Sequence, residues 1–209
     1  KTMGATCMKP QPKLAAPIQV VVLFSGKRKS GKDYVTDRLL AKLGEDAEIG
    51  RLSGPLKKAY AEEHGLDYKK LLSDGPYKEQ YRKDMIVWGE KRRNKDPGFF
   101  ANLVVKGAKK PVLIISDARR PTDLEFFQGK PDLWKLITVR VNCSKETRSS
   151  RGWVFTKGVD DVASECGLDG RKWDFVIQND PNSATAPPLQ TYLERLSEKI
   201  LAARDVKKA

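Results

Sequence analysis

The sequence predicts a three-layer α/β/α fold, in which helices cover both faces of a central parallel sheet of about five strands. Short, continuous apolar segments of strand length alternate along the chain with longer segments of helical periodicity, which is the pattern of βαβ units. A length of 209 residues is enough for one domain with a substantial core and short for two. We therefore expect a single α/β domain.

The individual elements follow from the order of these segments. Residues 18–25 predict a buried strand, because they are largely apolar, rich in β-branched side chains and followed by glycine. A helix is predicted from Lys32 to Leu43, ending at Gly44. The same patterns predict strands at residues 49–52, 112–116, 136–141 and 175–178, helical segments at 55–94 (with breaks near Gly65 and Asp74) and 99–107, and a C-terminal amphipathic helix at 189–203.

Four parts of the chain are distinguished within this organisation. Residues 1–17 are expected to be a tail or an expression remnant, and residues 18–209 to form the folded domain. Within the domain, residues 54–108 are predominantly helical. Residues 151–169 lack clear periodicity and are rich in glycine, aspartate and valine, which predicts a mobile loop or lid.

Composition excludes several classes of function. No apolar run approaches the roughly 18–20 residues that a membrane-spanning helix needs. The three cysteines, Cys7, Cys143 and Cys166, lie far apart without a Cys-x-x-Cys pair, so a disulfide scaffold or zinc cluster is not expected and a reducing cytosol is favoured. Peroxisomal delivery without a C-terminal Ser-Lys-Leu signal stays open. The single histidine, His64, excludes a site that needs two histidines.

The chain carries a large positive charge. With 40 Lys and Arg against 27 Asp and Glu, its formal net charge is +13. Such an excess indicates either a polyanionic partner or a pocket that gathers small, multiply charged ligands. The conspicuous cations recur beside glycine turns and strand ends rather than in one block, which favours the pocket. A nucleic-acid-binding protein is the alternative, and it predicts one continuous basic face and salt-sensitive binding.

A glycine-rich loop follows the first predicted strand directly and opens the first helix. It fits the pattern G-x-x-x-x-G-K, in which backbone N–H groups and the helix N-terminus bind phosphate oxygens and the lysine bridges the β- and γ-phosphates of ATP. Asp33 replaces the usual Ser or Thr, and its carboxylate can ligate Mg²⁺ or its water shell. The candidate nucleotide-binding residues are Gly26, Lys27, Arg28, Lys29, Ser30, Gly31, Lys32 and Asp33.

An acid and two arginines follow the strand predicted at residues 112–116. In parallel sheets, ligands bind beyond the carboxyl ends of the strands, so Asp117, Arg119 and Arg120 are expected to face the same crevice as the glycine-rich loop. Asp117 is placed like the acid that holds the Mg²⁺ shell in such enzymes, and the arginines suit an acceptor phosphate. The alternative is an aspartate that caps the next helix, with exposed arginines.

Further cations are candidates on position. On a helix over residues 77–93, a rotation of 100° per residue brings Lys78, Arg82 and Arg93 within about 60° of one another. Arginine binds phosphate through paired hydrogen bonds, although a solvated helix face is an equal alternative. Arg151 opens the aperiodic segment, where it either meets a transferring phosphoryl group or lies on a surface loop.

Motifs in order between Val20 and Asn179 resemble the animal-type phosphomevalonate kinases, including the unusual aspartate at position 33. The resemblance rests on Leu-Phe-Ser-Gly-Lys-Arg-Lys-Ser-Gly-Lys-Asp ending at Asp33, Arg-Leu-Ser-Gly-Pro-Leu-Lys ending at Lys57, Tyr-Lys-Glu from Tyr77, Arg-Lys-Asp-Met-Ile from Arg82, Trp-Gly-Glu from Trp88, Asp-Pro-Gly-Phe-Phe from Asp96, Ser-Asp-x-Arg-Arg ending at Arg120, Arg-Gly-Trp-Val-Phe-Thr from Arg151, and Asp160-Asp with Ser-Glu-Cys-Gly-Leu-Asp ending at Asp169.

This resemblance implies a fold like that of nucleoside monophosphate kinases and transfer of the γ-phosphoryl group of ATP to mevalonate 5-phosphate. We expect a monomer with no nucleic-acid or membrane partner, and Mg²⁺ as cofactor. The chain departs from the family at Asp180, where histidine is usual. A nucleoside or nucleotide kinase of the same fold is the alternative function.

The residues also have expected roles. Residues 27–33 and Asp117 are expected to bind ATP and Mg²⁺, and Arg151 and Asn179 to contact the nucleotide. Binding of the acceptor or the transition state is expected from Lys57, Lys78, Arg82, Arg93, Arg119 and Arg120. The expected catalytic residues are Lys29, Lys32, Asp117, Arg119, Arg120 and Arg151.

Overall fold

The computed structural model of the chain describes residues 18–73, 75–181 and 186–205. The tail predicted at residues 1–17 and the helix break predicted near Asp74 lie, wholly or in part, outside the described residues. The strands are β1 Val20–Ser25, β2 Ala47–Gly50, β3 Val112–Ala118, β4 Lys135–Asn142 and β5 Phe175–Gln178. The helices are α1 Lys32–Leu43, α2 Ser53–His64, α3 Tyr68–Leu72, α4 Pro76–Lys95, α5 Phe99–Gly107, α6 Pro121–Gln128, α7 Lys145–Ser150, α8 Ala163–Cys166 and α9 Leu189–Asp205, and a 3₁₀ turn covers Gly44–Asp46.

The five strands form one sheet in the order β2-β3-β1-β4-β5, and every neighbouring pair is parallel. The strand β1 is central, with Val20 opposite Val112 of β3 and Lys135 of β4. All residues of β1 and β3 are buried, which explains why both strands are continuously apolar in the sequence. The predicted parallel sheet of about five strands is confirmed.

Alternate residues of the central strand point into two separate cores. Val22 and Phe24 pack with residues of α1 and α9 on one face of the sheet. Val21 and Leu23 pack with residues of α5 and α6 on the other face. The three predicted layers are therefore present. A third cluster, centred on Tyr60, Leu71 and Met85, joins α2, α3 and α4 outside the sheet layers.

The structure divides the helical pattern predicted over residues 55–94 into α2, α3 and α4. Gly65 ends α2 in the left-handed conformation (φ 63°, ψ 34°), and its N–H donates to the carbonyl of Ala61. The helix α4 begins at Pro76, a favoured first helical position. The short helices α6, α7 and α8 were not predicted. None of the helices in the described ranges is long and apolar enough to cross a membrane.

Parallel strands bring their carboxyl ends to the same edge of the sheet. The glycine-rich loop follows β1, the residues 117–120 lie at the end of β3, and Asn179 follows β5. Gln178 of β5 pairs with Asn142 of β4, so the last strand ends level with its neighbour. The fold therefore brings together segments that are up to about 150 residues apart in the chain, and it does so at the edge where ligands of parallel sheets bind.

The helix α1 depends on its buried face against the sheet. We expect Leu39→Ala, at a residue with no exposed area, to lower the free energy of unfolding by about 2–5 kcal/mol, because it removes contacts and leaves a cavity. The matched change Leu201→Ala, on the exposed side of α9, is expected to cost about 0.5 kcal/mol or less. Urea unfolding followed by circular dichroism measures both, and equal losses would contradict the packing described.

Candidate active site

The glycine-rich loop, residues 26–31, is a tight turn that only certain residues can form. Gly31 has φ 83°, and a Cβ there would lie 2.2 Å from Nδ2 of Asn179. A Cβ on Gly26 would lie 2.6 Å from the carbonyl oxygen of Val141. Lys29 is a non-glycine residue with positive φ, 63°, within the described part of the chain. Gly26 is thus required by the close approach of a backbone oxygen, and Gly31 by its left-handed conformation, with the side chain of Asn179 packed closely against it.

Lys32 is the first residue of α1, and its side chain is buried. Burial lowers the pKa of the Lys32 ammonium, an effect that the negative charge of Asp33 opposes. The distance from Lys32 Nζ to Asp33 Oδ1 is 3.8 Å, whereas the Asp33 side chain itself is 66% exposed. A phosphate in the loop would therefore provide Lys32 with the close anionic partner that a buried cation requires.

Asp117 lies at the end of β3 and is joined to the helix that follows β2. Its Oδ1 accepts a hydrogen bond from the N–H of Leu52 (2.6 Å) and its Oδ2 one from the N–H of Ser53 (2.9 Å). Burial alone would raise the pKa of Asp117, but the hydrogen bonds from Ser53 and the charge of Arg119 lower it, so the carboxylate is ionised. The aspartate thus caps α2, which precedes it in the chain, rather than the next helix.

Arg119 and Arg120 are held by carboxylates at both backbone and side chain. The N–H groups of both residues donate to Oδ2 of Asp123, each over 3.0 Å. Arg119 Nη1 donates to Oε2 of Glu165 (3.0 Å), and Arg120 Nε donates to Oε1 of Glu90 (2.6 Å). The two guanidinium groups are therefore oriented by acids from different segments, and sequence reasoning had not assigned either acid a role.

Two cavities adjoin at the edge of the sheet. The loop cavity, of about 490 Å³, is lined by residues 26–34, 151 and 152 together with Glu79 and three further cations. The arginine cavity, of about 150 Å³, lies between α2, α4 and the end of β3. Its lining comprises Ser53, Leu56, Lys57, Lys78, Arg82, Met85, Ile86, Arg119, Arg120, Val159 and Ser164. The two cavities share Lys78, Arg82 and Arg119, so these cations lie where the cavities meet.

Arg93 does not line either of these cavities. Its side chain is buried, with Nε 3.9 Å from Asp123 Oδ1 and the guanidinium 4.6 Å from the ring centre of Phe100. Burial lowers the pKa of Arg93, and the neighbouring charge of Arg120 adds to that effect. The grouping of Arg93 with Lys78 and Arg82, which helical geometry predicts, is therefore wrong. Arg93 lies in the core behind Arg120.

A third cavity extends from the loop towards the C-terminal part of the chain. Arg151 Nη1 donates to the carbonyl of Ser30 (2.9 Å) and Nη2 to the carbonyl of Asn179 (2.8 Å), while Asn179 Nδ2 also donates to Ser30 (2.8 Å). These residues hold the outer side of the loop. The proline cavity, of about 690 Å³, is lined by Gly31, Tyr34, Arg151, Gln178, Asn179, Asp180, Pro181, Ala186, Pro187, Pro188 and Leu189.

Carboxylates of the segment 151–169 bind the cations of the loop. Asp160 accepts from Arg28 Nε (3.1 Å) and Nη2 (2.8 Å), and Asp169 accepts from Lys27 Nζ (2.5 Å). Burial alone would raise the pKa of Asp160, but hydrogen bonds from Arg28, Trp153 and the N–H of Thr156 lower it. The side chains of Lys27 and Arg28 are therefore bound to this segment, although the motif predicts only nucleotide contacts for them.

Arg140 is a further cation that the sequence pattern did not reveal. It lies within β4, and its Nη1 donates to Oγ of Ser25 (2.9 Å) while Nη2 donates to Oδ1 of Asp169 (2.7 Å). A single arginine in an apolar strand gives no periodic signal. The acids that bind these cations could have been predicted from the sequence, because Asp160, Glu165 and Asp169 belong to the motifs on which the family resemblance rests.

Known kinases resemble this chain in sequence and in fold. The family model described as phosphomevalonate kinase matches residues 24–132. A protein of Drosophila melanogaster named phosphomevalonate kinase is 45% identical over 166 residues, which cover 77% of this chain and 88% of that protein. The structure of the Mycobacterium tuberculosis APS kinase in complex with AMPPNP and APS resembles this fold with a TM-score of 0.50 at 13% identity, covering 88% of this chain and 98% of that one.

The close contacts of Gly31 lead to a prediction for the loop. We expect Gly31→Ala to weaken binding of an ATP analogue at least about tenfold, because the new Cβ displaces Asn179 and Arg151. Gly65→Ala is the matched control: Gly65 also has positive φ, but a Cβ there meets nothing within 4 Å. It should lose about 1 kcal/mol of stability and keep the affinity for nucleotide. Isothermal titration and thermal unfolding separate the two effects, and normal nucleotide affinity in Gly31→Ala would contradict the prediction.

Proposed function

Because the chain belongs to the phosphomevalonate kinase family, we infer that it transfers the γ-phosphoryl group of ATP to mevalonate 5-phosphate, giving mevalonate 5-diphosphate and ADP. The family resemblance read from the motifs is confirmed. The observation that carries this function at the level of the site is the junction of the loop cavity and the arginine cavity at Lys78, Arg82 and Arg119. Two polyanions that exchange a phosphoryl group require cations at such a junction.

The loop cavity is proposed to bind the triphosphate of ATP. The first N–H groups of α1 have no partner within the helix, and they act with the helix dipole on phosphate oxygens. Lys32 is proposed to contact the β- and γ-phosphates, and Lys29 to contact the γ-phosphate from the loop. The proline cavity beside Tyr34 and Asn179 is large and partly apolar, which supports placing the adenine there.

The arginine cavity is proposed to bind mevalonate 5-phosphate. Leu56, Met85 and Val159 form an apolar wall against which the methyl-bearing carbon chain can pack. Lys78, Arg82, Arg119 and Arg120, together with Lys57, supply the positive charge for its phosphate and carboxylate, and the three shared cations are proposed to hold the phosphate that receives the transferred group. Arg93, behind Arg120, is proposed to support this arrangement from within the core.

The proposed cofactor is Mg²⁺, for which the residues present are suitable. Asp33 offers an exposed carboxylate at the position where the motif usually provides a hydroxyl. Asp117 is ionised and close to Lys32, and each of its oxygens keeps a lone pair beyond the hydrogen bond that it accepts from α2. The bound ion would neutralise charge on the β- and γ-phosphate oxygens.

The reaction needs little proton chemistry from the protein. The attacking oxygen belongs to a phosphate that is already ionised near pH 7, so no strong general base is required. The barrier is the repulsion between two anions that must be brought in line. The shared cations, Lys32 and Arg151 are proposed to balance that charge, and closure of segment 151–169 is proposed to exclude water.

We propose further that the reaction belongs to the mevalonate pathway of isoprenoid and sterol synthesis and takes place in the cytosol. The free thiols of Cys143 and Cys166 support a reducing compartment. We also propose a monomer without a nucleic-acid partner; the second point is supported by Arg28, Arg119 and Arg120, cavity cations that already have carboxylate partners from the same chain.

The acceptor is tested by coupled measurement of ADP release. Mevalonate 5-phosphate is expected to support turnover, whereas nucleoside monophosphates are expected to support little. Faster turnover with a nucleoside monophosphate would contradict the proposed acceptor.

The role of Arg120 is tested in the same assay. Arg120→Ala is expected to lower kcat about 10²-fold or more, because it removes charge that faces the acceptor. The matched control is Arg195→Ala, which removes an exposed cation from α9 and should leave kcat unchanged. Thermal unfolding confirms that each variant is folded. Unaltered kinetics in a folded Arg120→Ala protein would exclude the role of this arginine.

A further inference from the structure

Glu165 joins the two cavities, and the proposed function does not use it. It lies in α8, and its side chain is only 3% exposed. One carboxylate oxygen accepts a hydrogen bond from the backbone N–H of Arg28 in the glycine-rich loop. The other accepts from Nη1 of Arg119 over 3.0 Å. A single side chain from segment 151–169 therefore links the loop to an arginine of the acceptor cavity.

The backbone of the same residue makes a third link. The carbonyl oxygen of Glu165 accepts a hydrogen bond from Lys27 Nζ over 3.1 Å. A buried carboxylate is stable only when its oxygens have donors, so both of the contacts of the Glu165 side chain are needed for it to stay in this place. A movement of either the loop or Arg119 must therefore be accompanied by a movement of Glu165.

We propose that Glu165 is a positioning residue that couples the two substrate sites by holding Arg119 against the glycine-rich loop. This proposal rests on the function proposed above. A nucleotide that orders the loop and segment 151–169 would also fix Glu165, and Glu165 would then fix Arg119 where the acceptor phosphate binds. Arg119 lines both cavities, so its position affects the acceptor directly. By linkage, each substrate tightens the binding of the other by the same factor.

The neighbouring pair of Arg120 and Glu90 provides a contrast within the same site. Glu90 lies on α4 and accepts a hydrogen bond from Arg120 Nε over 2.6 Å. It therefore orients an arginine of the acceptor cavity, as Glu165 does. Within the described residues, Glu90 makes no hydrogen bond or ion pair with the glycine-rich loop. Loss of the Glu90 carboxylate should accordingly weaken acceptor binding without affecting the coupling to nucleotide.

The test measures the coupling itself. The dissociation constant of mevalonate 5-phosphate is determined by titration calorimetry with and without a saturating non-hydrolysable ATP analogue. For the unmodified chain we expect the analogue to tighten acceptor binding at least about tenfold. In Glu165→Gln, an amide N–H₂ replaces one of the two carboxylate oxygens. This N–H₂ group cannot accept a hydrogen bond, so the bond from either Arg28 or Arg119 is lost. We expect the ratio of the two dissociation constants to fall to within about twofold of unity, because the loop and Arg119 are then no longer held by one carboxylate.

Two variants serve as controls. Glu90→Gln is expected to weaken acceptor binding by a similar factor with and without the analogue, and so to keep the coupling ratio. Glu198→Gln, on the exposed face of α9, should match the unmodified chain in every measurement. Steady-state kinetics gives an independent readout, because loss of positioning in Glu165→Gln should lower kcat more than it raises KM.

Each outcome bears on a different claim. An unmodified chain that binds no mevalonate 5-phosphate overturns the proposed function and this proposal together. Normal binding and coupling in the unmodified chain, with the same ratio in folded Glu165→Gln, overturns the role of Glu165 alone. If Glu165→Gln does not fold, Arg119→Lys decides: it keeps a cation but loses the guanidinium group, and a coupling ratio equal to that of the unmodified chain would overturn the proposal.

Discussion

The rest of the structure depends on how positive charge is balanced at one edge of the sheet. Parallel strands that end at the same edge bring Lys32, Arg119 and Arg140 close to the glycine-rich loop, which carries cations of its own. Such charges repel one another strongly where water is excluded. Each therefore needs an anionic partner, and a ligand that carries several negative charges is attracted to this edge of the sheet.

The partners come mainly from segment 151–169, which explains both its unusual sequence and its position. Asp160, Glu165 and Asp169 bind cations of the loop and of the strand ends, so the segment is ordered by charge pairs rather than by helical or strand periodicity. On the function proposed above, this arrangement would connect closure of the segment over the nucleotide to the geometry of the acceptor site. A site of this kind can hold two anions in line for phosphoryl transfer without a general base.

Most of the fold could be predicted from the sequence, because buried parallel strands and glycine-rich loops have local signatures. The candidate site could be predicted where its residues follow a strand end. It could not be predicted where packing between distant segments determines the position of a side chain. Arg93 stacks on Phe100 instead of facing the cavities, and Glu165 accepts a hydrogen bond from Arg28, which lies 137 residues away in the chain. Asp117 has the predicted position, but its capping of α2 depends on a contact across 64 residues or more.

The most direct test of this account is a crystal structure with a non-hydrolysable ATP analogue and mevalonate 5-phosphate bound together. We expect the phosphate of the acceptor between Lys78, Arg82 and Arg119, with its carbon chain against Leu56 and Met85 and its carboxylate further from the glycine-rich loop. An acceptor bound outside the arginine cavity, or bound with its carboxylate towards the loop, would contradict the account.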